Sequence, residues 1–101
     1  MAETYRLTER DIHPHLRSRM EMRGVSLDDV NITLANGWLA VDSAPGTEGR
    51  TWVFDFGGVW EGKFYAEKEV TVYFKRVDLR IVPLTAKARY GANFPRLRGI
   101  E

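Results

Sequence analysis

The sequence predicts an α+β domain in which two N-terminal helices pack on one face of a twisted, mostly antiparallel sheet of about four strands. Two observations carry this. Apolar residues recur at helical spacing as far as Asn36-Gly37 and at every second position after it. Each helical stretch is also framed by a capping residue and closed by a glycine. With no repeat, linker or low-complexity tract, residues 1–101 read as a single domain, with a core over about 8–91 and an irregular tail over 92–101.

The elements follow in order. A short strand or extended segment is expected around Thr4 to Leu7. Thr8 or Asp11 can cap the first helix, and a start at Asp11 places Pro14 in the first turn, where a missing N–H does no harm. That helix runs to Arg23, and Gly24 ends it in a left-handed conformation. Ser26 with Asp29 resembles a capping box, Val25 and Val30 have staple spacing, and Asn36-Gly37 stops the second helix. Leu27, Val30 and Leu34 share its inner face, while Ile32 lies off it.

Strands are expected at Trp38–Asp42, Arg50–Phe56, Glu69–Arg76 and Leu79–Ala86. Gly57-Gly58 breaks or bulges the second of them, and Pro83 marks an edge or a bulge in the last. Trp60, Phe64 and Tyr65 lie in a loop-like stretch with Gly57, Gly58 and Gly62, which can form a hairpin arm or a partner surface. Trp38, Trp52, Phe54, Phe56, Tyr73 and Phe74 fall at strand spacing and fit a core with cross-strand pairs.

Composition excludes several functions. No cysteine is present, which rules out a disulfide scaffold, a thiol nucleophile and cysteine-ligated metal. With only His13 and His15, a histidine-rich metal centre is not expected, and no cofactor is implied. No apolar run approaches the roughly 20 residues needed to cross a bilayer, and no signal-peptide core opens the chain, so a cytoplasmic protein is expected. The net charge is +1, but residues 61–101 hold nine Lys/Arg against five Asp/Glu. A local basic surface of this kind attracts phosphates.

Two groups of residues are candidates for chemistry. With Ile12 at the origin of a helical wheel, His15, Arg19 and Arg23 fall at about 300°, 340° and 20°, inside an arc bounded by Leu16, Met20 and Met22. The helix is therefore expected to aim an imidazole and two guanidiniums at the sheet or along its rim. Two readings are open. The arginines can lie on the sheet and pair with Asp42, Asp55 or helix-end carbonyls, or all three can form a phosphate site in which His15 transfers a proton. The second group is Thr85, Lys87, Arg89 and Tyr90 at the end of the last strand, where cations and a phenol can meet a phosphate and a base.

The order of these pieces resembles a family of small bacterial and archaeal proteins of unknown function. His15-Leu16-Arg17-Ser18-Arg19-Met20-Glu21-Met22-Arg23-Gly24-Val25-Ser26, followed by Asp29-Val30 and Asn36-Gly37, looks like that family's H-x-x-x-R-M-x-x-R-G-[IV]-S…DV…NG pattern. Residues 68–73 and 84–91 look like its two strand motifs. The family is grouped with BrnT- and RelE-like toxins. The resemblance therefore implies a toxin of a toxin–antitoxin pair that acts on RNA or the ribosome, as a metal-independent ribonuclease or translation inhibitor. On that reading His15, Arg19 and Arg23 are catalytic, and Lys75, Arg80, Thr85, Lys87, Arg89 and Tyr90 bind RNA. The alternative is a non-catalytic protein- or nucleic-acid-binding module that uses the open sheet face and the Trp60–Tyr65 arm. A third reading keeps the fold and makes the arginine cluster structural.

Overall fold

The computed structural model describes residues 6–97. After a 3-10 turn (Glu9–Asp11) come helices α1 (Pro14–Arg23) and α2 (Leu27–Asn36), then strands β1 (Trp38–Leu39), β2 (Glu48–Trp60), β3 (Lys63–Val77) and β4 (Arg80–Gly91). The strands form one antiparallel meander in chain order, with both helices packed on the sheet. This is the α+β architecture that the periodicity predicts. No helix among the described residues is long and apolar enough to cross a membrane.

The first helix starts later than expected. The residue before a proline avoids the α conformation, so His13 cannot be helical and a helix cannot run through it from Asp11. Instead, the Asp11 carboxylate accepts the Thr8 N–H at 2.7 Å and closes the 3-10 turn. Ile12 is extended, and His13 becomes the N-cap, its Nδ1 accepting the Leu16 N–H at 3.2 Å. Replacing His13 with alanine is expected to cost about 1 kcal/mol in a denaturant melt, and replacing it with aspartate to keep the cap. Of the segment expected to be extended at the N-terminus, Thr4 lies outside the described residues, while Arg6 and Leu7 belong to no strand. The backbone of Leu7 is pinned from both sides by the buried Asn31 amide, at 2.8 and 3.0 Å.

Gly24 ends α1 at φ +69°, and the Ser26–Asp29 capping box opens α2 as its residues suggest. β1 is shorter than the expected Trp38–Asp42, because Val41 and Asp42 turn away after two residues of pairing. β2 and β3 are longer, because Gly57-Gly58 bulges the ladder without ending it. Pairing resumes from Gly58↔Tyr65 to Trp60↔Lys63, and the two-residue turn Glu61-Gly62 has φ of +50° and +84°. Positive φ at both turn residues matches the right-handed twist of the strands, so the stretch from Trp60 to Tyr65 takes the hairpin form that its residues allow. β4 is an edge strand, with a register shift where Pro83 pairs with Phe74.

The core lies between the helices and one sheet face. Leu16, Met20, Val25, Val30 and Leu34 meet Val70, Val72, Phe74, Ile81 and Ala86, all buried. Phe54 packs half-buried against them, and Trp38 meets Trp52 at 5.9 Å. Ile32 is exposed, as its position off the helix face suggests.

Candidate nucleic-acid interface

Side chains alternate between the two faces of a strand, so the core assigns the rest of the sheet. Ala86 and Ala88 pack toward the helices, and this turns Thr85, Lys87 and Arg89 to the opposite face. Phe74 points inward, so Lys75 points out; Ile81 points inward, so Arg80 points out. Five of the six residues expected to bind RNA therefore share the sheet face away from the helices. Tyr90 does not, because it is in phase with Ala86 and Ala88.

That face is polar and shallowly concave. A hollow of about 330 Å³ has Thr51 and Thr71 on its floor, their hydroxyls 2.9 Å apart, and Leu39, Val41 and Leu97 on its walls. On its floor and rim, Lys87 Nζ is 3.0 Å from Asp42 Oδ2, and Tyr73 donates its hydroxyl to Asp42 Oδ1 at 2.8 Å. The Lys87 ammonium and the Tyr73 hydroxyl hold the Asp42 carboxyl below its ordinary range, and Tyr73 and Asp42 in turn raise Lys87. Arg89 Nε contacts Glu69 at 2.8 Å, and its Cζ lies 4.9 Å from the Phe94 ring centre. The segment after β4 straps one end of the face. Phe94 N–H bonds Glu67 at 2.9 Å, and Arg96 bonds the same carboxylate at 2.6 Å. Lys75 and Arg80 are exposed and form no ion pair among the described residues.

Tyr90 instead forms an aromatic cluster against the helix junction. Its ring stacks on Trp60 at 5.0 Å and meets Phe56 and Tyr65 at 5.3 and 5.7 Å. Its hydroxyl donates to the Arg23 carbonyl at 2.8 Å. Burial, with the negative charges of Asp29 and Glu61, pushes the phenol up to about 12 from 10.0. A raised phenol adds stability that is complete below the unfolded value and lost as pH climbs through the folded one. Stability is therefore expected to fall between about pH 10 and 12, with the Tyr90 phenolate appearing late in the absorbance titration. Tyr90→Phe is expected to remove both the late titration and that part of the alkaline loss.

The first-helix constellation separates into three environments. Ile12 lies outside the helix, so the inner face is set by Leu16 and Met20. With Leu16 at 0°, the face centres near 20°; Arg23 then lies about 40° from it, Arg19 about 80° and His15 about 120°. Arg23 is half-buried and donates Nη1–H to the Ala86 carbonyl on the edge strand at 2.7 Å. Arg19 is half-buried and has no hydrogen bond or ion pair among the described residues. His15 does not face the sheet as the first wheel places it. It is exposed at the helix start, its ring parallel to that of His13 at 6.3 Å. Met22 does not bound an inner arc either, being 67% exposed.

The sequence reading also missed Lys68. Its ammonium is buried beneath the Phe56 and Tyr90 rings and bonds the Gly24 carbonyl at 2.7 Å and Asp29 Oδ2 at 2.8 Å. The signal was available, because Lys68 is in phase with Val70, Val72 and Phe74. Comparisons of the chain with protein-family models, with curated proteins and with solved structures return no match.

Proposed function

We propose that this domain is a non-catalytic nucleic-acid-binding module that engages RNA through the sheet face away from its helices. The observation that carries the reading is the placement of Lys75, Arg80, Thr85, Lys87 and Arg89 on one face, with Lys75 and Arg80 exposed and free of ion pairs among the described residues. Cations with no partner in the protein bind phosphate without first breaking a salt bridge. The resemblance to a family grouped with RNA-directed toxins supplies RNA as the polymer. Single-stranded RNA is expected to bind in fluorescence anisotropy with a steep salt dependence. Lys75→Ala with Arg80→Ala should weaken binding about tenfold or more and flatten the salt slope by about 1 per cation removed. Equal binding by wild type and double variant, or none at low salt, would overturn the reading.

The toxin-like ribonuclease is the second reading. It is favoured by one observation: exposed His15 and unpartnered Arg19 lie one turn apart on α1, open to a substrate. It requires that the bound RNA be cut, and that His15→Ala abolish cutting while leaving anisotropy unchanged. Intact RNA after prolonged incubation with the wild-type chain decides for the binding module.

A further inference from the structure

A groove of about 440 Å³ runs along the outer edge of β4, and its rim carries Arg6, Arg10 and Arg80. They come from three places in the chain: the N-terminal segment, the 3-10 turn and the first residue of β4. Six other cations of the described residues are ion-paired. Arg17 pairs with Glu9, Lys68 with Asp29, Arg76 with Glu48, Lys87 with Asp42, Arg89 with Glu69 and Arg96 with Glu67. Among the described residues, Arg6, Arg10 and Arg80 have no ion pair or hydrogen bond from their side chains. Asp11 also lines the groove, but its carboxylate is committed to the N–H and hydroxyl of Thr8, at 2.7 and 3.2 Å. Three guanidiniums thus line one groove against a single carboxylate, that of Asp11.

The groove is also held in shape. Asn31 is 7% exposed and uses both ends of its amide on the Leu7 backbone, which fixes the segment bearing Arg6. The Asp11–Thr8 bonds fix the turn bearing Arg10. Leu7 and Ile81, each 8% exposed, and buried Pro83 form an apolar floor. A buried amide spent wholly on placing a strand-less segment has a purpose if that segment carries ligand contacts. Prior fixing of those contacts lowers the ordering cost of binding.

We propose that this groove is a phosphate-monoester site. A guanidinium fork matches the geometry of phosphate oxygens. A monoester carries close to two negative charges near neutral pH, about −1.5 to −2, whereas an internal phosphodiester carries one. Three guanidiniums against the one carboxylate of Asp11 leave an excess of two positive charges, which matches the monoester, and the apolar floor accepts the sugar or base beside it. The monoester comes either from the end of an RNA strand, which rests on the RNA-binding reading above, or from a free nucleotide.

The test uses the full chain and one short RNA carrying phosphate at its 5′ end, at its 3′ end or at neither, with adenosine monophosphate and adenosine in parallel. An end-phosphorylated RNA is expected to bind at least tenfold tighter than the unphosphorylated strand. Arg10→Ala, an exposed change that leaves the fold intact, should erase the gap, while Lys87→Ala should preserve it. Adenosine monophosphate binding lost in Arg10→Ala, with no binding of any RNA, would uphold the groove for a free nucleotide and overturn the RNA reading. Equal binding of all three RNAs, with no heat from adenosine monophosphate, would overturn the groove and leave the RNA reading standing. Silence from every ligand would overturn both.

Discussion

Replacing Asp29 with alanine is expected to destabilise the fold by about 3–5 kcal/mol, the cost of leaving one partner of a buried ion pair alone. The Lys68 side chain is 8% exposed and that of Asp29 is 18% exposed, so neither charge is fully hydrated while paired. Without the carboxylate, the ammonium keeps one carbonyl, that of Gly24, and the faces of two rings. The same change also removes the acceptor of the Ser26 N–H from the capping box of α2. The reciprocal substitution behaves differently. Lys68→Met keeps the apolar stem packed and leaves Asp29 partly hydrated and still capping α2, so its expected cost is below about 1.5 kcal/mol. The asymmetry between the two variants, read from urea midpoints, tests the pair. A loss of only about 1 kcal/mol for Asp29→Ala would reduce the carboxylate to a helix cap.

How far the sequence reveals such features depends on how local their cause is. Gly24, Ser26, Asp29 and Asn36-Gly37 mark the helix ends because capping and left-handed closure involve neighbours in the chain. The two-fold alternation of β3 and β4 reveals the sheet, and with it the face on which Lys87 and Arg89 lie. The same alternation separates Tyr90 from them, a consequence that grouping residues 84–91 as one motif hides. Asp29 and Lys68 are 39 residues apart, and Asn31 and Leu7 are 24 apart. No local rule joins either pair. What the chain does show is a polar residue in phase with a core face: Lys68 with Val70 and Val72, Asn31 with Leu27 and Leu34. Such a residue needs a buried partner, and its identity depends on the tertiary fold. The first helix is displaced for a different reason. Ile12 looks like its first apolar residue, but the bond into Pro14 ends helical geometry before it, and the phase of the wheel shifts with the origin.

Gly24→Ala is expected to cost about 3 kcal/mol, more than backbone conformation alone explains. Gly24 sits at φ +69°, where a β-carbon costs about 1–2 kcal/mol. The remainder is steric. A Cβ there would lie 2.5 Å from Tyr90 Oη and 2.7 Å from Cζ3 of Trp60. These two rings stack on each other, and the Tyr90 hydroxyl is bonded to the preceding carbonyl, so relief requires moving the cluster that holds β4 to the helix elbow. Gly46 and Gly62 separate the two contributions. They have φ of +81° and +84°, and a Cβ at either meets nothing within 4 Å, so each alanine should cost the backbone share only. Combining Gly24→Ala with Tyr90→Phe removes the nearest clashing atom, so the pair should cost less than the sum of the single changes. Tyr90 faces the helices, whereas Lys75, Lys87 and Arg89 face away. The folded Gly24→Ala protein, assayed below its melting temperature, should therefore keep its RNA affinity. A variant with ordinary stability, or single changes that simply add, would show that the rings yield to the methyl group without strain.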